Sequence, residues 1–206
     1  MYRVAQSKTK RIFDAAIAAF AIIVLSPLIC IIALAIKLSS RGPVIFKQQR
    51  CGMDNRPFTM YKFRTMIEGA QNKGLGYEVA RDDDRITTVG KMLRNASLDE
   101  LPQLINIIRG DMSLMGPRPM IADQVSRLNS RQLLRQRARP GISGWAQVNG
   151  RNALDWSRRI ELDTWYVENW DFYLDLRIFW RTIFTLLRRE GIYGEGGVNR
   201  KIRVNR

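Results

Sequence analysis

An apolar run near the N-terminus dominates the hydrophobic pattern of the chain. Residues 15–36 are 22 positions without a formal charge, and nearly all of them are apolar. A helix of that length would reach roughly 30 Å, enough to span a bilayer. Ser26 and Pro27 stand at its centre. Because proline within a helix lacks a backbone donor and clashes with the preceding turn, the sequence predicts a membrane helix that kinks or breaks there.

Basic residues flank the apolar run on both sides. They are Arg3, Lys8, Lys10 and Arg11 before it, and Lys37, Arg41, Lys47 and Arg50 after it. Lys and Arg collect on the cytoplasmic side of membrane segments, so both ends are predicted to stay in the cytoplasm. A re-entrant helix that enters, turns at Ser26-Pro27 and leaves on the same side satisfies both observations. A spanning helix with a proline kink, a buried core helix and a signal peptide remain as alternatives.

The pattern after this run predicts a small β-hairpin. Residues 44–46 and 58–63 are rich in β-branched and aromatic side chains, and residues 52–57 between them favour a turn. Side chains alternate along a strand, so Lys62 and Arg64 are predicted to share one face. Residues 68–84 are polar and contain glycine, which predicts a loop.

Three helical segments are predicted beyond the hairpin. The first covers residues 97–108 and stops at Gly110, since glycine is typical of a helix C-terminus. The second is a strongly basic helix over residues 124–137. The third covers residues 153–189, where aromatic side chains alternate with arginines as they do at a membrane interface. A core-facing aromatic stripe with a solvated basic face is an equal alternative for that third segment.

Together these patterns predict an α+β fold that is mainly helical. Residues 1–40 would form the membrane-embedded re-entrant helix, with its helix–break–helix shape. Residues 41–190 would form a cytosolic catalytic domain with a small β-hairpin and interfacial amphipathic helices, and residues 191–206 a basic, Gly-rich tail. A length of 206 residues suits one domain plus a membrane element.

The charge of the chain narrows its partners and its chemistry. There are 34 Lys and Arg against 19 Asp and Glu, a net charge of +15, which predicts anionic partners such as phosphates or lipid headgroups. The chain has no histidine, which excludes Ser-His-Asp triads, Cys-His pairs and histidine metal sites. Two cysteines make neither a disulfide framework nor a metal cluster. A carboxylate is therefore the expected catalytic group, and Mg²⁺ the expected metal.

Asp99 and Glu100 are the candidate catalytic pair. Ser97-Leu98-Asp99-Glu100 matches a capping box with Ser97 as N-cap, and Asp99 is an alternative N-cap that places Pro102 in the first turn. In either register both carboxylates lie at the positive end of a helix, which keeps them ionised and attracts phosphate. Asp99 could then attack a phosphate as a nucleophile, with Mg²⁺ reducing the repulsion. Helix capping alone is the plainer explanation of these four residues.

Basic residues in the same part of the sequence could surround a polyphosphate. They are Lys62, Arg64, Arg94, Arg118, Arg139 and Arg151. Guanidinium groups bind phosphate oxygens in pairs, which makes arginine well suited to such a site. Singly, each of these residues is more simply explained as a surface charge. As a set they predict a binding site for the phosphates of a nucleotide substrate.

In six blocks, taken in order, the chain resembles the bacterial sugar transferases, the monotopic phosphoglycosyl transferases that begin glycoconjugate assembly. The blocks are KRIFD at 10–14, YKFRTM at 61–66, SLDELPQL at 97–104, GDMS at 110–113, GPRP at 116–119 and RPGISGWAQVNGRN at 139–152. The resemblance spans about residues 8–190. It is to the small members of the family, which consist of the catalytic unit alone.

The resemblance implies transfer of a sugar 1-phosphate from a UDP-sugar to undecaprenyl phosphate, with release of UMP. The reaction would take place at the cytoplasmic face of the bacterial inner membrane. Asp99 would form a covalent phospho-sugar intermediate, Glu100 would orient groups or handle a proton, and Mg²⁺ would sit against Asp99. Ser26-Pro27 would be the break of the family's re-entrant helix. The sugar, the glycan pathway and the oligomeric state, a homodimer included, stay open. Residues 68–84 and the C-terminal part are both candidates for the region that selects the sugar.

One other class of function fits the composition. A membrane-tethered protein could use its net charge of +15 to bind anionic lipid or nucleic acid without catalysis. The chain shows no sequence pattern of a nucleic-acid-binding fold, whereas the six ordered motifs point to an enzyme. We therefore expect an enzyme without a nucleic-acid partner.

Overall fold

The computed structural model of the protein describes residues 7–72, 79–80, 82–188 and 198–199. Its helices are α1 (Lys8–Ser39), α2 (Thr88–Asn95), α3 (Gln103–Arg109), α4 (Ala122–Val125), α5 (Trp145–Val148), α6 (Trp156–Asn169) and α7 (Phe172–Arg188). Its strands are β1 (Ile45–Cys51), β2 (Pro57–Phe63), β3 (Val79–Ala80), β4 (Ser113–Met115), β5 (Gly141–Ser143) and β6 (Val198–Asn199). Helices predominate among these residues, as predicted. Apart from 198–199, the predicted tail lies outside the described residues.

The long helix α1 passes through Pro27 without interruption. It is one helical segment of 32 residues, so the predicted break is not seen as a gap in the helix. Pro27 has no N–H to offer the carbonyl of Ile23, and the hydroxyl of Ser26 donates to that carbonyl instead, at 2.8 Å. A serine side chain that satisfies a freed carbonyl lets a helix tolerate proline in apolar surroundings. By length and composition α1 could cross a membrane.

One face of α1 packs on the rest of the protein, and the other is exposed. Ala18, Ile32 and Ile36 are buried and belong to two apolar clusters of the domain. The large apolar side chains on the exposed face are Ile12, Phe13, Ile17, Phe20, Ile23, Val24, Ile31, Leu34 and Leu38. Helix α1 therefore combines a core contact with an apolar outer surface, which water does not favour.

Both ends of α1 are held by the same domain. Near its start, Arg11 donates to the carbonyls of Ile107, at 2.9 Å, and Ile108, close to the end of α3. Just after its end, Arg64 donates to the carbonyls of Ser40, at 2.8 Å, and Arg41. An arginine side chain therefore binds backbone carbonyls at each end of α1, and these hydrogen bonds attach both ends to the domain.

The predicted hairpin is present, with a longer first strand than expected. β1 pairs antiparallel with β2, and Ile45 lies opposite Phe63. The buried side chain of Asn106 in α3 joins this hairpin to the helix. Its Oδ1 accepts from the N–H of Tyr61 at 3.1 Å, and its Nδ2 donates to the carbonyl of Thr59 at 2.7 Å. Because α3 and β2 are linked in this way, the two anchors of α1 belong to one rigid unit.

The predicted helix over residues 97–108 is corrected at its start. A 3₁₀ turn, Leu98–Glu100, comes first, and α3 follows after Pro102. Ser97 has φ 55°, in the left-handed region, so no α-helix can begin from it with the usual capping geometry. Neither predicted N-cap forms. The helix does end at Gly110, whose φ of 93° suits glycine.

The two longer helix predictions are also corrected, since each segment is divided by side-chain hydrogen bonds. Residues 124–137 contain only the end of α4 and the 3₁₀ segment Gln132–Arg137. Between them, Asn129 and Gln132 each bind the other's backbone N–H through a side-chain oxygen. Residues 153–189 contain α6 and α7 rather than one helix, because Asp171 accepts from the N–H of Leu174 at 2.6 Å and starts a new helix.

A short parallel pairing was not foreseen from the sequence. β4 pairs with β5, so that Ser113 lies opposite Gly141 and Met115 opposite Ser143. Gly116 donates its N–H to the carbonyl of Ser143 at 2.9 Å. A Cβ at Gly141 would overlap the backbone of Gly116, so this close approach requires glycine. The pairing brings the loop at 116–119 against the segment at 139–144.

A buried ion pair fixes the same loop from its other side. The side chains of Arg135 and Asp163 are 2% and 4% exposed, and their nearest N and O atoms are 2.6 Å apart. Arg135 also donates to the carbonyl of Arg118 at 2.7 Å. The pair therefore attaches the loop that carries Arg118 to helix α6.

We expect Asp163→Ala to lower the free energy of unfolding by about 3–5 kcal/mol, because Arg135 would keep a buried charge without its partner. The double variant Arg135→Met/Asp163→Leu should lose clearly less, since no buried charge remains in it. Denaturant unfolding of the detergent-solubilised protein measures both values.

An exposed pair gives the control. Arg158 and Glu161 are 3.0 Å apart, and their side chains are 58% and 64% exposed. Glu161→Ala should change the free energy of unfolding by less than about 1 kcal/mol. A double variant as unstable as Asp163→Ala would contradict the role given to the buried charge.

Candidate active site

A cleft of about 770 Å³ opens beside the hairpin, between the 3₁₀ turn Leu98–Glu100, the loop at 116–119 and the start of α6. Its lining includes the basic side chains of Lys62, Arg64, Arg94, Arg118, Arg135, Arg151 and Arg159, and the carboxylates of Asp99, Glu100 and Asp163. Five of the six predicted basic residues, all except Arg139, thus line one cleft together with the predicted catalytic pair. The cleft is suited to a substrate with several negative charges.

The 3₁₀ turn presents Asp99 and Glu100 to this cleft. The left-handed conformation of Ser97 turns the chain after α2, and Pro102 follows directly before α3. Arg151 donates to the hydroxyl of Ser97 at 3.1 Å, which ties the turn to the opposite wall of the cleft. The pair therefore lies on a short, braced turn and not at the N-cap of an α-helix.

Glu100 is held by two cations. Its Oε1 accepts from Lys62 Nζ at 2.6 Å and from Arg118 Nη2 at 3.0 Å. Burial alone would raise the pKa of Glu100, but the charges of Arg118 and Lys62 and the hydrogen bonds they donate outweigh it and lower that pKa strongly. Glu100 is therefore an ionised carboxylate that orients two cations, and in this arrangement it is a poor proton donor.

Asp99 makes weaker contacts with the surrounding cations than Glu100 does. Its Oδ2 is 3.9 Å from Lys62 Nζ, and among the described residues it accepts no hydrogen bond. Burial raises the pKa of Asp99, the charge of Lys62 opposes this, and the charge of Glu100 adds to it. A carboxylate with few partners and a raised pKa is more basic and more nucleophilic than an exposed one. Its side chain is 13% exposed, so it can be reached from the cleft.

Arg94 enters the cleft from α2, which packs closely on the chain after β2. A Cβ at Gly90 would overlap the backbone of Thr65, so glycine allows this contact. Arg94 Nε then donates to the hydroxyl of Thr65 at 2.8 Å. The guanidinium is thereby directed towards the Asp99 side of the cleft, where its charge lowers the pKa of that residue.

Two predicted phosphate ligands have other contacts. Arg64 lines the cleft, but its guanidinium caps the end of α1 through the carbonyls at 40 and 41. Arg139 lies apart from the cleft lining, and its Nε donates to the carbonyl of Gly110 at 3.0 Å. Burial lowers the pKa of Arg139, and the nearby charge of Arg11 adds to this. The structure therefore separates Arg139 from the set that was predicted to bind phosphate.

The predicted Mg²⁺ can be judged from the donor groups that are present. Among the described residues there is no group of three or more Asp, Glu, Cys or His side chains able to enclose a metal ion. Mg²⁺ is commonly held by one or two carboxylates together with phosphate oxygens of the substrate, so a protein cage is not required. The Asp99 carboxylate accepts no hydrogen bond from the described residues and lies in a cationic cleft that suits phosphates, and this fits such a site.

Residues of α6 belong to the cleft and were not singled out from the sequence. Trp156, Arg159, Ile160 and Asp163 all line it. Their spacing of three and four residues places them on one face of a helix, and that periodicity could have identified them. Gln147 of α5 was also missed, although it lies within one of the six blocks.

Known proteins resemble this chain over most of its length. The bacterial sugar transferase family matches residues 5–189. The uncharacterized sugar transferase EpsL of Bacillus subtilis is 45% identical over 183 residues, which cover 89% of each chain. The exopolysaccharide production protein ExoY of Sinorhizobium fredii is 40% identical over 199 residues, covering 90% of this chain and 88% of that protein.

A longer relative matches over part of its length. The UDP-glucose:undecaprenyl-phosphate glucose-1-phosphate transferase of Escherichia coli is 43% identical over 183 residues, which cover 85% of this chain and 39% of that protein. The region shared with these relatives contains the hairpin, the 3₁₀ turn with Asp99 and Glu100, and the loop at 116–119. The chain therefore belongs to the bacterial sugar transferase family.

Proposed function

We propose that this sugar transferase moves a sugar 1-phosphate from a UDP-sugar to undecaprenyl phosphate and releases UMP. The observation that carries the proposal is Asp99, a partly buried carboxylate with no hydrogen-bond donor among the described residues, which lies with Lys62, Arg94 and Arg118 in one cleft. A cleft of this charge suits a nucleotide diphosphate, and a carboxylate within it that accepts no hydrogen bond suits attack on phosphorus. The E. coli relative, whose name states transfer of glucose 1-phosphate to undecaprenyl phosphate, supports the same reaction class.

In the first step, a carboxylate oxygen of Asp99 forms a bond to the β-phosphorus of the donor. The bond from that phosphorus to the bridging oxygen breaks, and UMP leaves with the electron pair. In the second step, an oxygen of the lipid phosphate attacks the same phosphorus and the Asp99 carboxylate is released. Splitting the transfer in this way lets one cleft serve two bulky phosphates in turn.

The basic residues would bind and orient the phosphates in both steps. Lys62 and Arg118 are fixed by Glu100, so their remaining N–H groups face the cleft without reorganisation during the reaction. We therefore propose that Glu100 orients Lys62 and Arg118 and does not transfer a proton, because its lowered pKa keeps it ionised. Mg²⁺, bound by Asp99 and donor phosphate oxygens, would supply neutralisation of the charge on the diphosphate.

The membrane arrangement that we propose is monotopic, with both ends of α1 on the cytoplasmic side of the inner membrane. It is supported by the arginine contacts that attach each end of α1 to the same domain. A helix that crossed a bilayer would place its two ends on opposite sides of a hydrocarbon layer about 30 Å thick, where one folded domain could not bind both. The apolar outer face of α1 would then lie within one leaflet.

Helix α7 supports an interfacial position for the domain. Its exposed large apolar side chains are Phe172, Tyr173, Leu176, Phe179, Trp180, Phe184, Leu186 and Leu187. Phe172 packs edge-to-face on Phe13 of α1, with ring centroids 6.0 Å apart, so the exposed faces of the two helices meet. Aromatic side chains are favoured at the level of lipid headgroups. We propose that α7 lies along the membrane surface beside α1.

Replacement of the nucleophile tests the reaction. We expect Asp99→Asn to lose UMP release by at least about 10³-fold, because the amide cannot form the covalent intermediate. The assay uses a panel of UDP-sugars with Mg²⁺ and undecaprenyl phosphate in nanodiscs, and mass spectrometry of the wild type should find a phospho-sugar on Asp99. Asp54→Asn, in the hairpin turn, is the matched control and should keep full activity.

The competing function, binding of anionic lipid or nucleic acid without catalysis, makes the opposite prediction for the same assay. It requires that no donor in the panel yields UMP and that Asp99→Asn leaves binding unchanged. Full turnover in Asp99→Asn would instead keep the reaction and overturn the nucleophile.

Cysteine labelling tests the membrane arrangement. Arg3→Cys and Arg41→Cys are introduced separately into a Cys30→Ser/Cys51→Ala background. Both positions should resist a membrane-impermeant thiol reagent in intact spheroplasts and react after permeabilisation, since both would face the cytoplasm. Labelling of either cysteine from outside would contradict the monotopic arrangement without affecting the proposed reaction.

A further inference from the structure

We propose that the carboxamide of Gln147 binds the uracil ring of the donor, an inference that rests on the proposed function and adds the residue that reads its base. Gln147 lies in α5, lines the cleft and is 8% exposed. Among the described residues, neither its Nε2 nor its Oε1 has a hydrogen-bond partner. A buried amide with both groups unpaired is costly, and a bound ligand that pairs them removes that cost.

Gln147 differs in charge from the other cleft residues that have an unpaired buried atom. These are Arg64, through Nε, and Asp163, through Oδ1. Both are charged, and both are already engaged, Arg64 with the end of α1 and Asp163 with Arg135. Gln147 is neutral and offers one donor and one acceptor side by side. That pattern is a poor match for phosphate, which the basic residues around Asp99 would bind better.

Uracil presents the matching pattern. Its N3–H donates and its adjacent carbonyl oxygens accept, so a carboxamide can pair with one edge of the ring through two parallel hydrogen bonds. Nε2 would donate to a uracil carbonyl, and Oε1 would accept from N3–H. Trp156 and Ile160, which also line the cleft, add apolar surface for a flat ring.

The local backbone leaves room for the amide. An ideal Cβ at Gly144 would lie 2.7 Å from Gln147 Oε1 and would also overlap the carbonyl oxygen of Gly116. The absence of that Cβ lets the amide lie close to the backbone of the segment that pairs with the loop at 116–119.

Binding of UMP and N3-methyl-UMP to nanodisc-embedded protein, by calorimetry, tests the assignment. Wild type should bind UMP roughly tenfold more tightly than N3-methyl-UMP, because the methyl group removes the N3–H donor. Gln147→Met should bind UMP roughly tenfold more weakly than wild type and should lose most of the discrimination between the two nucleotides. Gln49→Met, an exposed glutamine in β1 outside the cleft lining, is the matched control and should behave as wild type.

Each other outcome has a distinct meaning. Unchanged UMP affinity in Gln147→Met overturns the assignment of Gln147 to uracil. If the KM for the UDP-sugar increases in the same variant, Gln147 contacts the sugar instead. If Gln147→Met does not fold, Gln147→Asn, which withdraws the amide by one methylene, should show the same loss of discrimination. Failure of wild type to bind UMP, or to release it from any donor, would count against the proposed reaction itself, whereas loss of the Gln147 effect alone would leave that reaction standing.

Discussion

The ion pairs of Glu100 with Lys62 and Arg118 are the interaction on which the geometry of the cleft depends. They join three separate parts of the chain: strand β2, the 3₁₀ turn and the loop at 116–119. Asp99 is adjacent to Glu100 in the sequence, so the ion pairs of Glu100 also determine where the Asp99 carboxylate lies. Buried hydrogen bonds support these ion pairs. Arg135 donates to the carbonyl of Arg118, and the side chain of Asn106 accepts from the backbone of the hairpin. A small domain can in this way keep a charged cleft open without collapse.

Two neighbouring carboxylates have different properties because their surroundings differ. Glu100 has two cationic partners and a strongly lowered pKa, whereas Asp99 has none at hydrogen-bond distance and a pKa that burial raises. Separating the properties of two like groups by environment is a common way to assign catalytic tasks. The resemblance assigned the two residues different roles, but local sequence patterns could not show how their environments differ, because that depends on which cations reach which oxygen across the fold.

Much of the fold and the cleft could be predicted, and the failures have identifiable causes. The apolar run, the hairpin, the helix stop at Gly110 and the gathering of five basic residues all follow from local patterns and from the ordered motifs. The predicted helix start at residue 97 was wrong because Ser97 adopts the left-handed conformation. The continuous helices predicted over 124–137 and 153–189 were wrong because single side chains such as Asn129 and Asp171 redirect the backbone. The parallel pairing of β4 with β5 joins residues far apart in sequence, which periodicity alone does not reveal.

The attachment of both ends of α1 to one domain has a consequence for how the protein responds to its membrane. A spanning helix must match the thickness of the bilayer, and a mismatch tilts it or moves whatever is attached to it. Here the distance between the helix ends and Asp99 is determined by Arg11, Arg64 and the hairpin, not by the lipid. Under the proposed monotopic arrangement, the same protein would therefore keep its cleft at one height above the hydrocarbon in bilayers of different thickness and composition.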